Sequence, residues 1–332
     1  MPQNSINCCF LAIPFGYFIY FYSAMKKKIS VIGAGNVGAT TAQLIVQSGI
    51  ADVVLFDIVE GLPQGKALDM AEACPLWNSA ATIRGTNRYA DTAGSDLVVV
   101  TAGLARKPGM SRSDLLHANV DIVRGACMEI AKYSPNSIVI VVTNPMDVMA
   151  QLAWKTTEFS CRRVMGMGGI LDASRLAAFL AWELHISPED IEAVVLGGHG
   201  DDMLPLPRFT TVKGIPLTEI LPKKKIDSLI ERTRNGGAEI VSFLKSGSAY
   251  YAPAASTFQM VKSILLDEKR VLPCAAFLNG EYGIKDIYMG VPVILGEKGV
   301  EKIVEVKLTK EEKAQFRKSS ATVKKLVQKL SI

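Results

Sequence analysis

Histidine is scarce in this chain, three in 332 residues, and its six cysteines are scattered. Cys8, Cys9, Cys74, Cys127, Cys161 and Cys274 form no C-x-x-C pair and show no His/Cys ligand spacing. No structural zinc or other metal site is therefore visible, and the thiols read as inert groups in a reducing, cytoplasmic compartment. Also missing is an uninterrupted apolar stretch of ~20 residues, the length a bilayer-spanning helix needs. No membrane partner is expected. Basic residues form no stripe with interleaved aromatics; they cluster at Lys26–Lys28, at Lys223–Lys225 and towards the C-terminus, within a net charge of +5. That distribution argues against nucleic acid and is compatible with small anionic substrates. Repeats and low-complexity linkers are absent too, so two subdomains sharing an interface fit this length better than two tethered ones.

What is present begins with an oddity. Cys8 to Tyr22 is an apolar, aromatic run broken by Pro14 and Gly16. It lacks the basic n-region and small-residue cleavage site of a signal peptide, and the lysines follow it instead of preceding it. Met25 then opens Met25-Lys26-Lys27-Lys28-Ile29-Ser30-Val31-Ile32. The expectation is that translation begins at Met25 and that residues 1–24 are a non-native or disordered leader; a membrane anchor is the alternative.

From residue 28 short β-branched runs alternate with helical stretches, the pattern of a parallel sheet with crossover helices. Strands are predicted at Ile29–Ile32, Val53–Phe56, Leu97–Thr101 and Ile138–Val142. Helices are predicted at Asn36–Gln47, Gly61–Trp77 and Ser113–Tyr133, the last repeating Leu116, Val120, Val123, Cys127 and Ile130 at helical spacing. The second half is more mixed. It has a helix over Leu171–Leu184, a Ser187-Pro188 helix start, and strands at Val194–Leu196, Phe209–Val212, Val271–Leu278 and Tyr288–Val293. A long helix from Lys224 to Leu244 contains Gly236-Gly237, at ~1 kcal/mol per glycine relative to alanine, so something approaches closely there or the helix kinks. Thr309 and Glu312 form a capping box for the last helix. The fold class is α/β: a Rossmann-type doubly wound parallel sheet over 25–167, then an α+β substrate domain over 168–332.

Gly33-Ala34-Gly35-Asn36-Val37-Gly38 is a G-x-G-x-x-G that follows a predicted strand and opens a predicted helix, where phosphates meet free N–H groups. A helix-packing glycine set is the plainer alternative. Asp57, ending the second strand, stands where a carboxylate would meet the adenosine ribose hydroxyls and repel a 2′-phosphate, favouring NAD over NADP. Thr101 to Arg112 carries a strand end into a Gly/Pro loop with Arg106 and Arg112, which reads as a lid able to close or as a solvated basic loop. Thr143-Asn144-Pro145 ends another strand at the same edge and could be a simple turn. Asp172 and Arg175 stand three apart on one helix face, either as a structural ion pair or as separate partners of a histidine and a carboxylate. In Val194-Val195-Leu196-Gly197-Gly198-His199-Gly200-Asp201 an apolar strand delivers His199 to a glycine loop. An imidazole there can give and take a proton near neutrality, or it can be a capped surface side chain.

In their order and spacing these motifs resemble the lactate/malate dehydrogenase family, most closely its lactate-dehydrogenase-like malate dehydrogenases, from Met25 essentially to the C-terminus. The resemblance implies reversible NAD-dependent oxidation of (S)-malate to oxaloacetate. It implies His199 as acid/base with Asp172 as partner, Arg175 as anchor for the substrate carboxylate, Arg112 polarising the carbonyl and Asn144 helping to hold the substrate. Asn119 and Val142, Thr143 and Asn144 would line the nicotinamide side. Arg106 stands at the substrate-discriminating position, where lactate enzymes commonly carry glutamine. A second carboxylate would need that cation, whereas pyruvate would leave it buried and unpaired. Lactate or another 2-hydroxy acid is the nearest rival substrate. An NAD-dependent glycosidase, which would need a Cys/His-held metal, and a non-catalytic dinucleotide sensor are rivals of other classes. A homodimer or homotetramer is expected, and the stripe on helix Gly61–Trp77 suits an interface or core packing equally.

Overall fold

The computed structural model describes residues 26–104 and 112–330, the side chains of 112–114 excepted. The expected leader and Arg106 therefore lie outside the described residues, and Arg112 is described by its main chain alone. Six short aliphatic runs make the parallel part of the sheet: β1 (Lys28–Ile32), β2 (Asp52–Phe56), β3 (Ile83–Thr86), β4 (Leu97–Val100), β5 (Ile138–Val141) and β6 (Val164–Gly166). Their spatial order is β3-β2-β1-β4-β5-β6, the doubly wound order that the alternating pattern implies. β4 and β5 are buried throughout, which is why they are continuously apolar instead of alternating. Register decides where the site forms. Ile32 lies opposite Phe56 and Val100, Val100 opposite Val141, and Val141 opposite Gly166. The strands thus end level, and Gly33, Asp57, Thr101, Val142 and Met167 all emerge on one edge.

The crossovers are α1 (Asn36–Ser48), α2 (Leu62–Ala73), α3 (Arg112–Tyr133) and α4 (Met146–Thr157), and α5 (Gly169–Leu184) follows β6. Beyond α5 come β7 (Ile191–Glu192), β8 (Val195–Gly197), β9 (Met203–Pro205), β10 (Thr211–Val212), β11 (Ile215–Pro216), α6 (Leu217–Ile220), α7 (Lys223–Leu244) and α8 (Tyr251–Leu265). The chain closes with β12 (Arg270–Asn279), β13 (Lys285–Gly296), β14 (Gly299–Ile303) and α9 (Lys310–Val327). β12 pairs antiparallel with β6 through Ala275 and Gly166, so the same sheet continues as β12-β13-β8-β9. β7, β10 and β11 form a separate small sheet. One hydrophobic core runs from Ile29 to Leu330, and a second lies between α5 and α7, around Leu176, Leu180, Leu229 and Ile230.

Most predicted elements appear within a residue or two of their expected ends. On α3 the predicted stripe is inside, with Leu116, Val123, Cys127 and Ile130 buried. Thr309 caps α9 with Glu312 as a reciprocal box. Ser187 caps the 3₁₀ turn Pro188–Asp190 by accepting the Glu189 N–H. The helix expected over Gly61–Trp77 is shorter and stops at Ala73. Cys74 still has helical dihedrals, but Pro75 has no N–H to continue the helical hydrogen bonds, and the chain goes on in turns that bond Leu76 and Trp77 to the Ala73 carbonyl. Several elements escape a reading by periodicity, β3, β9 and β14 among them. α4 is buried continuously from Met146 to Ala153 and shows no polar face; α8 mixes Ser256, Thr257 and Ser263 into its buried side; β6 is only a three-residue strand. Among the described residues no helix is long and apolar enough to cross a membrane.

Candidate active site

At the β1 end the glycine loop shows why each small residue is needed. Gly33 has φ +106°, and a Cβ there would stand 2.7 Å from the Ala102 nitrogen. A Cβ on Gly38 would reach 1.9 Å from the Gly33 carbonyl oxygen, so helix and loop pack closer than any side chain allows. Gly35 is different: a Cβ there would meet nothing within 4 Å. Gly35 is also the N-cap of α1 and supplies no side-chain acceptor. The N-terminus of α1 thus has no side-chain cap and open space beside Gly35, which suits a diphosphate. Gly35 and Asn36 are exposed and Val37 is half-buried, whereas Ala34 and Gly38 are packed inside. Asp57 leaves β2 beside this loop; one carboxylate oxygen accepts the Ala34 N–H at 2.6 Å and the other accepts the Val59 N–H at 3.0 Å. Lys66 donates to the Ala34 carbonyl. These residues fit a dinucleotide.

Along the same edge the loops after β4 and β5 are pinned together. The Asn119 Oδ1, from α3, accepts the Leu104 N–H, and its Nδ2 donates to the Asn144 carbonyl, both at 2.7 Å. Asn119 is wholly buried and Val142 nearly so, so they hold this wall from behind. The Thr143 hydroxyl donates to the Ala102 carbonyl at 2.7 Å. Asn144 is exposed at the rim.

The proton-handling group is assembled by four elements. β8 ends at Gly197, and the loop that follows is clamped on both sides: the Gly198 N–H donates to the Ser319 hydroxyl of α9, and the His199 N–H donates to the Asp147 Oδ2 of α4, each at 2.9 Å. The His199 Nδ1 lies 2.9 Å from the Asp172 Oδ2, in the first turn of α5. Gly168 leaves room for this ring, since a Cβ there would be 3.2 Å from the His199 Cβ. The other histidines are elsewhere, His117 exposed on α3 and His185 at the end of α5.

The Asp172 side chain is 1% exposed and those of His199 and Arg175 are each 13% exposed. Burial alone would push the imidazole down; the charge and hydrogen bond of Asp172, helped by the charge of Asp147, outweigh that and hold His199 above the usual histidine range. Arg175 is held less firmly. Its Nη1 is 3.8 Å from the Asp172 Oδ1, and its buried Nε has no hydrogen-bond partner among the described residues. Burial lowers its pKa against the pull of Asp172, yet a guanidinium stays charged. What approaches the glycine pair of α7 is this arginine: Cβ atoms on Gly236 and Gly237 would stand 3.4 Å from the Arg175 Cδ and 3.8 Å from its Nη2.

The structure thus brings His199, Asp172 and Arg175 together, and aligns Gly33–Gly38, Asp57, Asn119 and Val142–Asn144 on one sheet edge. Asp147 and Ser319 lie outside the motifs read from the sequence. The one signal was a carboxylate, Asp147, inside the otherwise apolar stretch Met146–Met149.

Comparison with known proteins agrees with this geometry. Residues 27–166 match the NAD binding domain of lactate/malate dehydrogenase, and residues 170–331 match its alpha/beta C-terminal domain. Malate dehydrogenase of Heliobacterium modesticaldum is 55% identical over 302 residues, covering 91% of this chain and 98% of that protein. Among solved structures, malate dehydrogenase of Cryptosporidium parvum superposes with a TM-score of 0.91 at 44% identity, over 92% of this chain and 99% of that one. Lactate dehydrogenase of the same organism, solved with lactic acid and nicotinamide adenine dinucleotide, gives a TM-score of 0.89 at 41% identity, over 91% and 97%. The fold therefore accommodates both activities, and side chains must choose between them. With both halves matched and the buried His199–Asp172 pair in place, the chain belongs to the lactate/malate dehydrogenase family of NAD-dependent oxidoreductases.

Proposed function

We propose that this chain interconverts (S)-malate and oxaloacetate, with Arg175 anchoring one carboxylate and His199 moving the proton. The observation that carries the reading is a buried guanidinium with an unmatched Nε beside a carboxylate-backed imidazole. A buried donor without a partner costs ~1–3 kcal/mol, and a ligand carboxylate, gripped by the planar fork, would remove that cost. Asp172 accepts the Nδ1 hydrogen of His199, leaving Nε2 to take the hydroxyl proton of malate and to return it in reduction. NAD, when bound, supplies the hydride acceptor. Arg112 stabilises the oxygen that gains negative charge, Asn144 helps to hold the substrate, and Gly33–Gly38 with Asp57 hold the adenosine diphosphate half.

Arg106 is assigned the second carboxylate of oxaloacetate. Steady-state rates for oxaloacetate and pyruvate, each with NADH and NADPH, test the whole reading. Oxaloacetate with NADH should lead, and pyruvate should trail by ~10³-fold, because a cation left buried and unpaired costs several kcal/mol. Arg106→Gln should narrow that ratio. An unchanged ratio would remove the malate assignment and leave a 2-hydroxy acid dehydrogenase of lactate type. Cys74, Cys127, Cys161 and Cys274 are free thiols, which supports a reducing, cytoplasmic setting, and family membership supports a homodimer or homotetramer.

A further inference from the structure

We infer that Asp147 is a positioning residue for His199: from the first turn of α4 it holds the His199 main chain and lays a second negative charge beside the imidazole. The inference rests on the reading of His199 as the proton carrier. Asp147 is 5% exposed, and its Oδ2 accepts the His199 N–H at 2.9 Å. The same oxygen would lie 3.6 Å from a Cβ on Gly198, so this carboxylate fills the space under the loop. An asparagine would accept that N–H equally well without burying a charge, and burying a charge is costly. Asp147 thus brings the loop both an acceptor and a charge.

The groups around the ring show what it does. Among the described residues, Asp172 bonds the ring from α5 and Arg175 and Asp147 act on it by charge, Asp147 from α4 through its hold on the His199 N–H, while α9 meets the loop with the neutral Ser319 and Val323. Arg175 opposes protonation of the ring, and both carboxylates favour it. Asp172 binds the ring itself and so fixes its tautomer. Asp147 binds the peptide, so it can add charge without competing for either ring nitrogen. Its place at the N-terminus of α4 keeps that charge comfortable, because the helix dipole favours an anion there. The clamp on the loop is thus divided: Ser319 supplies a neutral anchor and Asp147 a charged one.

Two readouts separate a charge role from simple support. With three histidines in the chain, imidazole resonances can be followed by NMR in the ligand-free protein, His199→Asn identifying the signal of His199. Asp147→Asn keeps the N–H acceptor and removes the charge; it should lower the His199 midpoint by ~0.5 unit or more and move the rising limb of malate oxidation to lower pH by the same amount. Ser319→Ala removes the neutral anchor; it should leave the midpoint in place and lower turnover. Asp147→Ala should lose ~10-fold or more in turnover, as misplaced groups do, with Asp147→Asn recovering much of the loss. A His199 midpoint that does not move in Asp147→Asn would overturn the inference. If the wild-type protein itself failed to oxidise malate, the proposed function would fall instead, and the NMR midpoint would still report on Asp147.

Discussion

At Asp172 two neighbours draw on one buried carboxylate: one oxygen holds the His199 ring and the other faces Arg175 at a looser 3.8 Å. That inequality suits a site in which the imidazole keeps its partner throughout and the guanidinium exchanges a weak one for substrate. A pH dependence follows from the raised His199 pKa. Malate oxidation needs the neutral ring, so its rate should climb through a midpoint above the ordinary imidazole value of ~6.5, while oxaloacetate reduction, which needs the protonated ring, should decline over the same interval. Because the folded value exceeds the unfolded one, protonated His199 adds stability that is complete below the unfolded midpoint and fades as pH rises through the folded one. His199→Asn should then lower Tm most in mildly acidic buffer and progressively less in alkaline buffer. The same variant should lose at least ~10²-fold in turnover while still binding NADH in a fluorescence titration. Lost NADH binding would show that this histidine supports the fold and not the chemistry.

Among the elements, α7 joins sequence to site most directly. Its Gly236-Gly237 pair is legible in the sequence as a place of close approach, but the partner, Arg175, lies more than sixty residues away along the chain and becomes visible only when α5 packs against α7. Gly236→Leu should push on the Arg175 stem, 3.4 Å from the first carbon of any side chain there. The expected outcome is a raised KM for oxaloacetate at unchanged NADH affinity; an unchanged KM would mean that Arg175 does not meet substrate. α3 and α7 could be read from the sequence because one face is apolar and the other polar. α4 could not, being apolar nearly all round, and with it went Asp147, whose importance depends on a loop brought in from β8. Pro75 shows the converse: its signal was present, and it decides where α2 ends. The glycine loop and Asp57 were legible because they follow their strands directly, whereas the His199–Asp172 contact needed the fold to bring separate segments together.

On the scale of the molecule, the sheet is continuous across the junction of the two matched regions, through Gly166 on β6 and Ala275 on β12. Trp154 on α4 reinforces that seam, its ring 4.5 Å from Phe277 on β12 and 6.2 Å from Tyr288 on β13. Shared strands and a shared core predict one cooperative unfolding event. In the double variant Trp77→Phe/Trp182→Phe, which leaves Trp154 as the one tryptophan, denaturation followed by fluorescence should coincide with loss of secondary structure by circular dichroism; two separated transitions would show that the halves melt independently. The clamp on the β8 loop has its own consequence for how the chain matures. Its last anchor, Ser319, belongs to the closing helix, so a polypeptide still threading out of the ribosome has made its phosphate cradle long before its acid–base loop is locked. Chains truncated ahead of that serine would lack the loop's neutral anchor and, with Val323 and Leu330, part of the shared core, which ties competence for turnover to complete synthesis.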